Sequence, residues 1–354
     1  MKKIALLLAV LMFVFTGCAG NVKNDPSKPL AGTTIYVYNW GDYIAEDTIE
    51  RFTKETGIKV IYETFDSNET MYAKYKSGAV NYDVLIPSDY MIEKLIAENE
   101  LLPLNFDNIP NAKYIDESFR NLGYDPENKY SVPYFWGTLG ILYNKKMVQE
   151  EVDSWDILWD SKYKGQIIMM DSVRDTFAVA LKRLGYSLNS TDKAQVDEAV
   201  ASLIEQAPLV QAYLMDQVKD KMIGEEAALA VIYSGEAVYT SEYNENFEYA
   251  VPKEGTNFFV DAMVIPKTCQ NKEAAEAFIN FMNDPQIAYN NTKYVGYSTP
   301  HTEARDMLDE EIKNNPAAYP PQEIIDKCEV FVDLGPEMTV YYNDKWNELK
   351  ASLR

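Results

Sequence analysis

A strand–helix–strand unit near the start constrains this chain more than any other feature. Thr33–Trp40 (TTIYVYNW) alternates β-branched and aromatic residues, which predicts a strand. Ile44–Thr56 carries Ile49, Phe52 and Thr53 at helical spacing, and Gly57 stops that helix. Ile58–Tyr62 (IKVIY) predicts a second strand. Two strands joined through a helix pair in parallel, so the chain is committed to an α/β fold. The alternation continues. Tyr72–Gly78 reads as a helix, Tyr82–Pro87 as a buried strand and Tyr90–Asn99 as a helix. Tyr130–Asn144 (YSVPYFWGTLGILYN) is a long apolar run, long enough to cross from one lobe to another. Strands follow at Gly165–Met170, Ala228–Ile232 and Val260–Pro266, with helices near Arg174–Leu184, Val196–Gln206 and Lys272–Met282. No internal repeat or low-complexity tract interrupts them. The chain reads as two lobes, with passages between them.

The first residues stand apart. Lys2 and Lys3 precede twelve apolar residues, Ile4–Phe15, and Thr16-Gly17-Cys18 follow. Twelve residues are too few to span a bilayer, which needs about 20. A basic start, a short apolar run and small residues predict a secretory signal over 1–17. Cys18 stands where a bacterial lipobox places its lipid-modified cysteine, with Phe15 in place of the usual Leu. Residues 18–32, with Asn21–Leu30 (NVKNDPSKPL), read as a lipid-anchored tether. The mature chain is expected outside the cytoplasm, held at the cell membrane only through its N-terminal lipid.

Charge excludes whole classes of function. Asp and Glu number 55 against 33 Lys and Arg, and the formal net charge is −22. Nucleic-acid binding demands the opposite sign. Hydrophobic residues make up 47%, enough for a substantial core. The single histidine, His301, without clustered cysteines argues against a zinc site, and any Ser-His-Asp arrangement would have to run through it. There is no phosphate loop, so an enzyme has little to work with. His301 follows Pro300 and reads as a solvent-facing loop residue. Cys269 and Cys328 have two open readings, a disulfide suited to an oxidising compartment and a pair of buried free thiols.

Ligands in open parallel sheets bind beyond the carboxyl ends of the strands. The residues there repeat one chemistry, an aromatic beside a carboxylate. They include Trp40, Asp42 and Tyr43; Ser88, Asp89 and Tyr90; Asp171, Ser172, Arg174 and Asp175; and Tyr233 and Glu236. Phe259 and Asp261 flank the Val260 strand, and Tyr297 lies in a late loop. A small polyamine needs this pairing. Each ammonium must exchange water for charge-assisted hydrogen bonds, and aromatic faces attract cations while covering methylenes. A sugar shares the aromatics without needing so many acids. Some of these residues have plainer roles. Asp89, Asp171 and Ser172 are helix-capping types, and Arg174 reads as orienting carboxylates through a salt bridge. Asp261, a charge inside an apolar strand, needs a partner.

Longer stretches then resemble one family. They include Tyr38-Asn39-Trp40-Gly41-Asp42-Tyr43, Phe52-Thr53-Lys54-Glu55-Thr56-Gly57-Ile58-Lys59-Val60 and Ser67-Asn68-Glu69-Thr70-Met71-Tyr72-Ala73-Lys74. Val132-Pro133-Tyr134-Phe135-Trp136-Gly137, Leu184-Gly185-Tyr186-Ser187 and Pro252-Lys253-Glu254-Gly255 continue the match, colinear from Tyr36 to Arg305. They are similar to the bacterial spermidine/putrescine-binding proteins. The resemblance implies a type II periplasmic-binding-protein fold, each lobe a mixed sheet flanked by helices, with the ligand in the cleft between lobes. Lobe 1 is expected over 33–135 and 256–310, and lobe 2 over 136–255 and 311–354. It implies a monomeric receptor with no cofactor and no metal, delivering a polyamine to the permease and ATPase of an ABC importer.

Carried over by position, Trp40, Tyr43, Ser88, Tyr90 and Tyr297 match family cleft residues. Asp261 matches the carboxylate that pairs with an amine, and Asp175 stands where the spermidine binder has Glu. Asp42 and Glu236 fall where putrescine-selective relatives carry acids. Tyr233 and Phe259 replace tryptophans, Ser172 replaces an amine-contacting Asp, and Phe331 stands where the spermidine binder has Gln. The expected arrangement puts one ammonium on Asp261 and Glu236, near Asp42, and the other end on Asp175. The alternatives are the same receptor role for another amine, a sugar or an iron complex, and an unassigned enzyme.

Overall fold

Residues 27–353 are described in the computed structural model. The expected signal 1–17, Cys18 and the tether up to residue 26 lie outside the described residues. β1 (Thr34–Trp40), α1 (Thr48–Thr56) and β2 (Lys59–Phe65) form the parallel unit. Gly57 ends α1 in the left-handed region at φ 75°. α1 starts later than its apolar spacing predicts. The Ala45 N–H and the Thr48 hydroxyl both donate to Asn291 Oδ1, at 3.0 and 2.8 Å, and hold the entry out of the helix.

α2 (Asn68–Lys76), β3 (Val84–Leu85) and α3 (Asp89–Ala97) follow. β4 (Ser131–Asn144) is the longest strand, buried along nearly its whole length. Next come β5 (Ile167–Met170), α4 (Val173–Arg183), α5 (Lys193–Gln206), β6 (Val210–Leu214) and α6 (Val218–Ile223). β7 (Leu229–Tyr233), α7 (Ser234–Tyr243), β8 (Phe247–Ala250) and β9 (Phe258–Val264) lead to α8 (Lys272–Met282) and α9 (Pro285–Val295). A terminal helix, Gly335–Ser352, packs on α5 and α4. β6, α6, α7, β8, α9 and the terminal helix are elements that the apolar patterning does not mark.

The strands run β2-β1-β3-β9-β4-β7-β5-β6, with β8 also on β4. β1 pairs β2 and β3 in parallel, and β5 pairs β6 and β7 in parallel. β9 and β4 run antiparallel to their neighbours, so the sheet is mixed. β4 joins the two parallel groups. Ser131–Thr138 pairs β9, while Leu139–Asn144 pairs β7 and β8. Its side chains divide in the same way. Val132, Tyr134 and Phe135 pack with Ile35 and Phe278, whereas Leu139 and Ile141 pack with Phe177 and Leu203. Each buried Leu or Ile contributes roughly 1.5–3 kcal/mol, so one strand ties two separately packed cores together. The cleft lies where the two parallel groups present their carboxyl ends.

Candidate ligand cleft

All twelve candidate residues line one cleft, of about 1120 Å³ with its open mouth included. They are Trp40, Asp42, Tyr43, Ser88, Tyr90, Ser172, Asp175, Tyr233, Glu236, Phe259, Asp261 and Tyr297. They come from six separate segments, four of them at the carboxyl ends of β1, β3, β5 and β7. Met215, Asp216, Lys219, Glu69, Asn257 and Phe331 are further lining residues. Of these, only Phe331 was singled out by the sequence.

Asp261 sits on the face of β9 that also carries Phe259 and Met263, while Val260, Ala262 and Val264 fill the opposite side. Its carboxylate is buried. Tyr43 donates to Oδ2 at 2.5 Å and Ser88 donates to Oδ1 at 2.6 Å. Ser88 begins α3 without capping it. The Ser88 N–H donates to Asn68 Oδ1 at 3.1 Å, and Asn68 Nδ2 donates to Ser88 Oγ at 3.0 Å, which turns the hydroxyl proton toward Asp261. Burial pushes the Asp261 carboxyl up to about 6, against the pull of its two hydroxyl donors, and the charge of Asp175 adds to the rise. The acid coupled to Asp261 is thus Asp175.

Asp175 lies in the first turn of α4. Its Oδ2 accepts from Ser172 Oγ at 2.6 Å and from Tyr233 OH at 2.7 Å. Ser172 also caps α4 through the Asp175 N–H, so its capping and cleft-lining readings both hold. Asp175 Oδ1 is buried with no partner among the described residues, and so is Asn257 Oδ1. Burial raises the Asp175 pKa. Glu69, on α2, accepts from Tyr90 OH at 2.9 Å, and its pKa is raised by burial too.

A second acidic group gathers around Lys219, beside the exposed Asp42. Glu236 lies in the first turn of α7, and burial raises its carboxyl to about 7 while Lys219 opposes the rise. Lys219, from α6, donates to Asp42 Oδ2 at 3.0 Å and lies 3.9 Å from Glu236 Oε1. Asp216 stands nearby, its pKa also raised by burial. These residues draw the loop after β1 against the loop before α6.

Aromatic rings fill the walls between the acids. Tyr43 meets Tyr297 edge-on at 5.0 Å, Tyr297 meets Phe259 at 6.1 Å, and Phe259 meets Tyr233 at 5.2 Å. Trp40 packs on Phe65 at 4.5 Å, and its buried Nε1 has no partner among the described residues. Tyr297 follows Gly296, which ends α9 at φ 85°, and lies directly against Gly235 at the start of α7.

Two expectations are corrected and one open reading is decided. Among the described residues Arg174 forms no carboxylate salt bridge. Its guanidinium lies over the rings of Phe331 and Tyr90 at 4.3 and 5.3 Å and donates to Val332 O and Asn189 Oδ1. It therefore fixes the segment carrying Phe331. His301 is buried, not solvent-facing. Its Nδ1 accepts from the Ala304 N–H at 3.1 Å, so Nε2 carries the ring proton and donates to Asn283 O at 3.0 Å. Burial lowers its pKa and keeps the ring neutral. Cys269 and Cys328 are both free thiols, so the disulfide reading falls, but they are half-buried where the other reading had them buried. Asp89 is claimed by the Tyr90 and Val260 N–H groups, at 2.7 and 3.0 Å, and faces the packing beneath the cleft. Among the described residues no group of His, Cys, Asp and Glu is arranged to hold a metal, and no helix is long and apolar enough to cross a membrane.

Two parallel groups of strands, joined by shared antiparallel strands and flanking an acid-rich aromatic cleft, define a two-lobed solute-binding protein. The family model for bacterial extracellular solute-binding proteins matches residues 47–320, and the chain belongs to that family. The spermidine/putrescine-binding periplasmic protein of Escherichia coli K12 is 38% identical over 322 residues, which cover 90% of this chain and 92% of that protein. The crystal structure of the spermidine/putrescine ABC transporter substrate-binding protein of Streptococcus pneumoniae, in complex with calcium and HEPES, is 45% identical. It superposes with a TM-score of 0.78, covering 91% of this chain and 100% of that one. A lipoprotein of Treponema pallidum is 27% identical with a TM-score of 0.80, covering 89% of this chain and 99% of that one. The two-lobed periplasmic-binding-protein fold is therefore that of this chain.

Proposed function

We propose that this chain captures a small polyamine, putrescine or spermidine, and delivers it to the permease of an ABC importer driven by its ATPase. One observation carries the reading. Two buried carboxylates, Asp261 and Asp175, share an aromatic cleft, and Asp175 Oδ1 has no partner among the described residues. Isolated carboxylates are costly to bury. An alkyl polycation among them restores the balance, because each ammonium gains charge-assisted hydrogen bonds and the rings cover the methylenes. The names of the relatives agree with this ligand class.

In this reading Asp261 and Asp175 hold ammonium groups. Trp40, Tyr43, Tyr90, Tyr233, Phe259 and Tyr297 line the stem, and Ser88 and Ser172 orient the acids. Asp42 and Glu236, expected beside the ammonium of Asp261, have Lys219 for a neighbour at 3.0 and 3.9 Å. Lobe 1 comprises 33–135 and 256–310, lobe 2 comprises 136–255 and 311–354, and ligand binding draws them together as a monomer. Residues 1–17 are removed as a signal, and Cys18 carries the lipid. The role is that of a receptor, with no catalytic residue.

A thermal-shift panel tests this. Putrescine or spermidine is expected to raise the melting temperature, and sugars, amino acids and iron chelates are expected not to. A shift with one of those solutes and none with any polyamine would overturn the ligand and leave the receptor role.

A further inference from the structure

Among the described residues, Lys219 is the one cationic side chain lining a cleft that is otherwise rich in acids. It is anchored on α6, and only 12% of its side chain is exposed. Its ammonium contacts Asp42 at 3.0 Å, sits 3.9 Å from Glu236 and lies 5.5 Å over the ring of Tyr239. Asp42 takes a left-handed backbone, φ 46°, which a side chain seldom adopts. The Asp216 carboxylate packs so closely on Gly41 that a Cβ there would lie 2.6 Å from Oδ2. Backbone and side chains are thus arranged around an ammonium supplied by the protein.

We propose that Lys219 is a built-in ammonium that selects ligand length: it fills the outer acidic subsite and leaves the cleft to a diamine. The inference rests on the polyamine reading above. Asp261 and Asp175, in the interior, provide one carboxylate for each end of a diamine. A triamine has one more ammonium. Of the remaining lining acids, Glu69 and Asp66 already accept from Tyr90 OH and Thr70 Oγ1, and Asp42, Asp216 and Glu236 gather around Lys219. There the third ammonium meets the like charge of Lys219, which cannot leave without breaking its contact with Asp42. Like charges brought together in a partly desolvated site repel far more strongly than in water. Lys219 thus acts as the repulsive element that specificity against a longer homologue requires.

Calorimetric titration with putrescine and spermidine at pH 8 tests this on the wild type, Lys219→Met and Lys219→Arg. Lys219→Met is expected to raise spermidine affinity relative to putrescine by about tenfold or more, one decade of the affinity scale. Lys219→Arg keeps the charge and is expected to keep the wild-type ratio. Melting curves establish that each variant is folded, and Lys219→Gln replaces Lys219→Met if that variant is not. A neutral variant that binds both polyamines with an unchanged ratio overturns the inference and leaves polyamine binding intact. Failure of wild type and variants alike to bind either polyamine overturns the ligand class itself.

Discussion

Asp261 shows how much a single residue reveals. A charge inside FFVDAMV was visible as an anomaly in the sequence, and the structure gives it two hydroxyl donors and a second buried acid. Asp261→Asn keeps the shape and removes the charge, so binding should weaken at least tenfold, about 1.4 kcal/mol. Asp175→Asn should do the same, and calorimetry reads both. The titration of these acids also has a definite sign. Asp261 is raised to about 6 and Glu236 to about 7 by burial, so the folded chain holds protons that the unfolded chain has released. Stability of the unliganded protein should therefore fall as pH rises from about 4 to about 7, by on the order of 3 kcal/mol for each acid. Asp175 faces Asp261, and Lys219, Asp216 and Asp42 face Glu236. A polycation prefers the ionised acids, so its affinity should rise through the same range. Melting and titration from pH 5 to 8 check the two opposite slopes. Lys219 and Asp216 were not legible, because they follow β6, which carries no clean alternation. His301 was misread because a position after proline signals a loop without signalling burial, and only the fold brings Asn283 to its ring.

Among the elements, those with clean periodicity were legible. Lys272–Met282 was bounded as the structure bounds it, since its apolar residues all face one core. Tyr82–Pro87 read as a six-residue strand, but only Val84 and Leu85 pair. Asp83 explains part of this, as its side chain accepts from the Tyr36, Gln270 and Asn271 N–H groups. The terminal helix was not legible, because polar residues interleave its buried Met338, Tyr342 and Leu349. The turn from β7 to α7 carries the sharpest prediction at this scale. A Cβ on Gly235 would lie 2.2 Å from the Tyr297 ring. Gly235→Ala must displace that ring, at a cost of roughly 1–3 kcal/mol, and should lower both melting temperature and polyamine affinity. Gly123→Ala, with nothing within 4 Å, should change neither.

At the scale of the whole molecule, the strand–helix–strand order fixed the class, and the aromatic–acid repetition located the cleft. What stayed hidden was which acids face each other, because that depends on how β4 sets its two halves. Net charge also acts at this scale. At −22 the chain attracts cations over distances that salt shortens. Polyamine association, followed by stopped-flow fluorescence with Trp40 in the cleft wall, should slow several-fold as ionic strength rises from about 0.01 M to about 0.3 M. The most direct test of the account is titration of the wild-type protein with putrescine and spermidine in a calorimeter. One polyamine should bind saturably per chain, with putrescine the tighter ligand. Absence of binding by both polyamines, in a protein whose melting temperature rises with an uncharged solute, would contradict it.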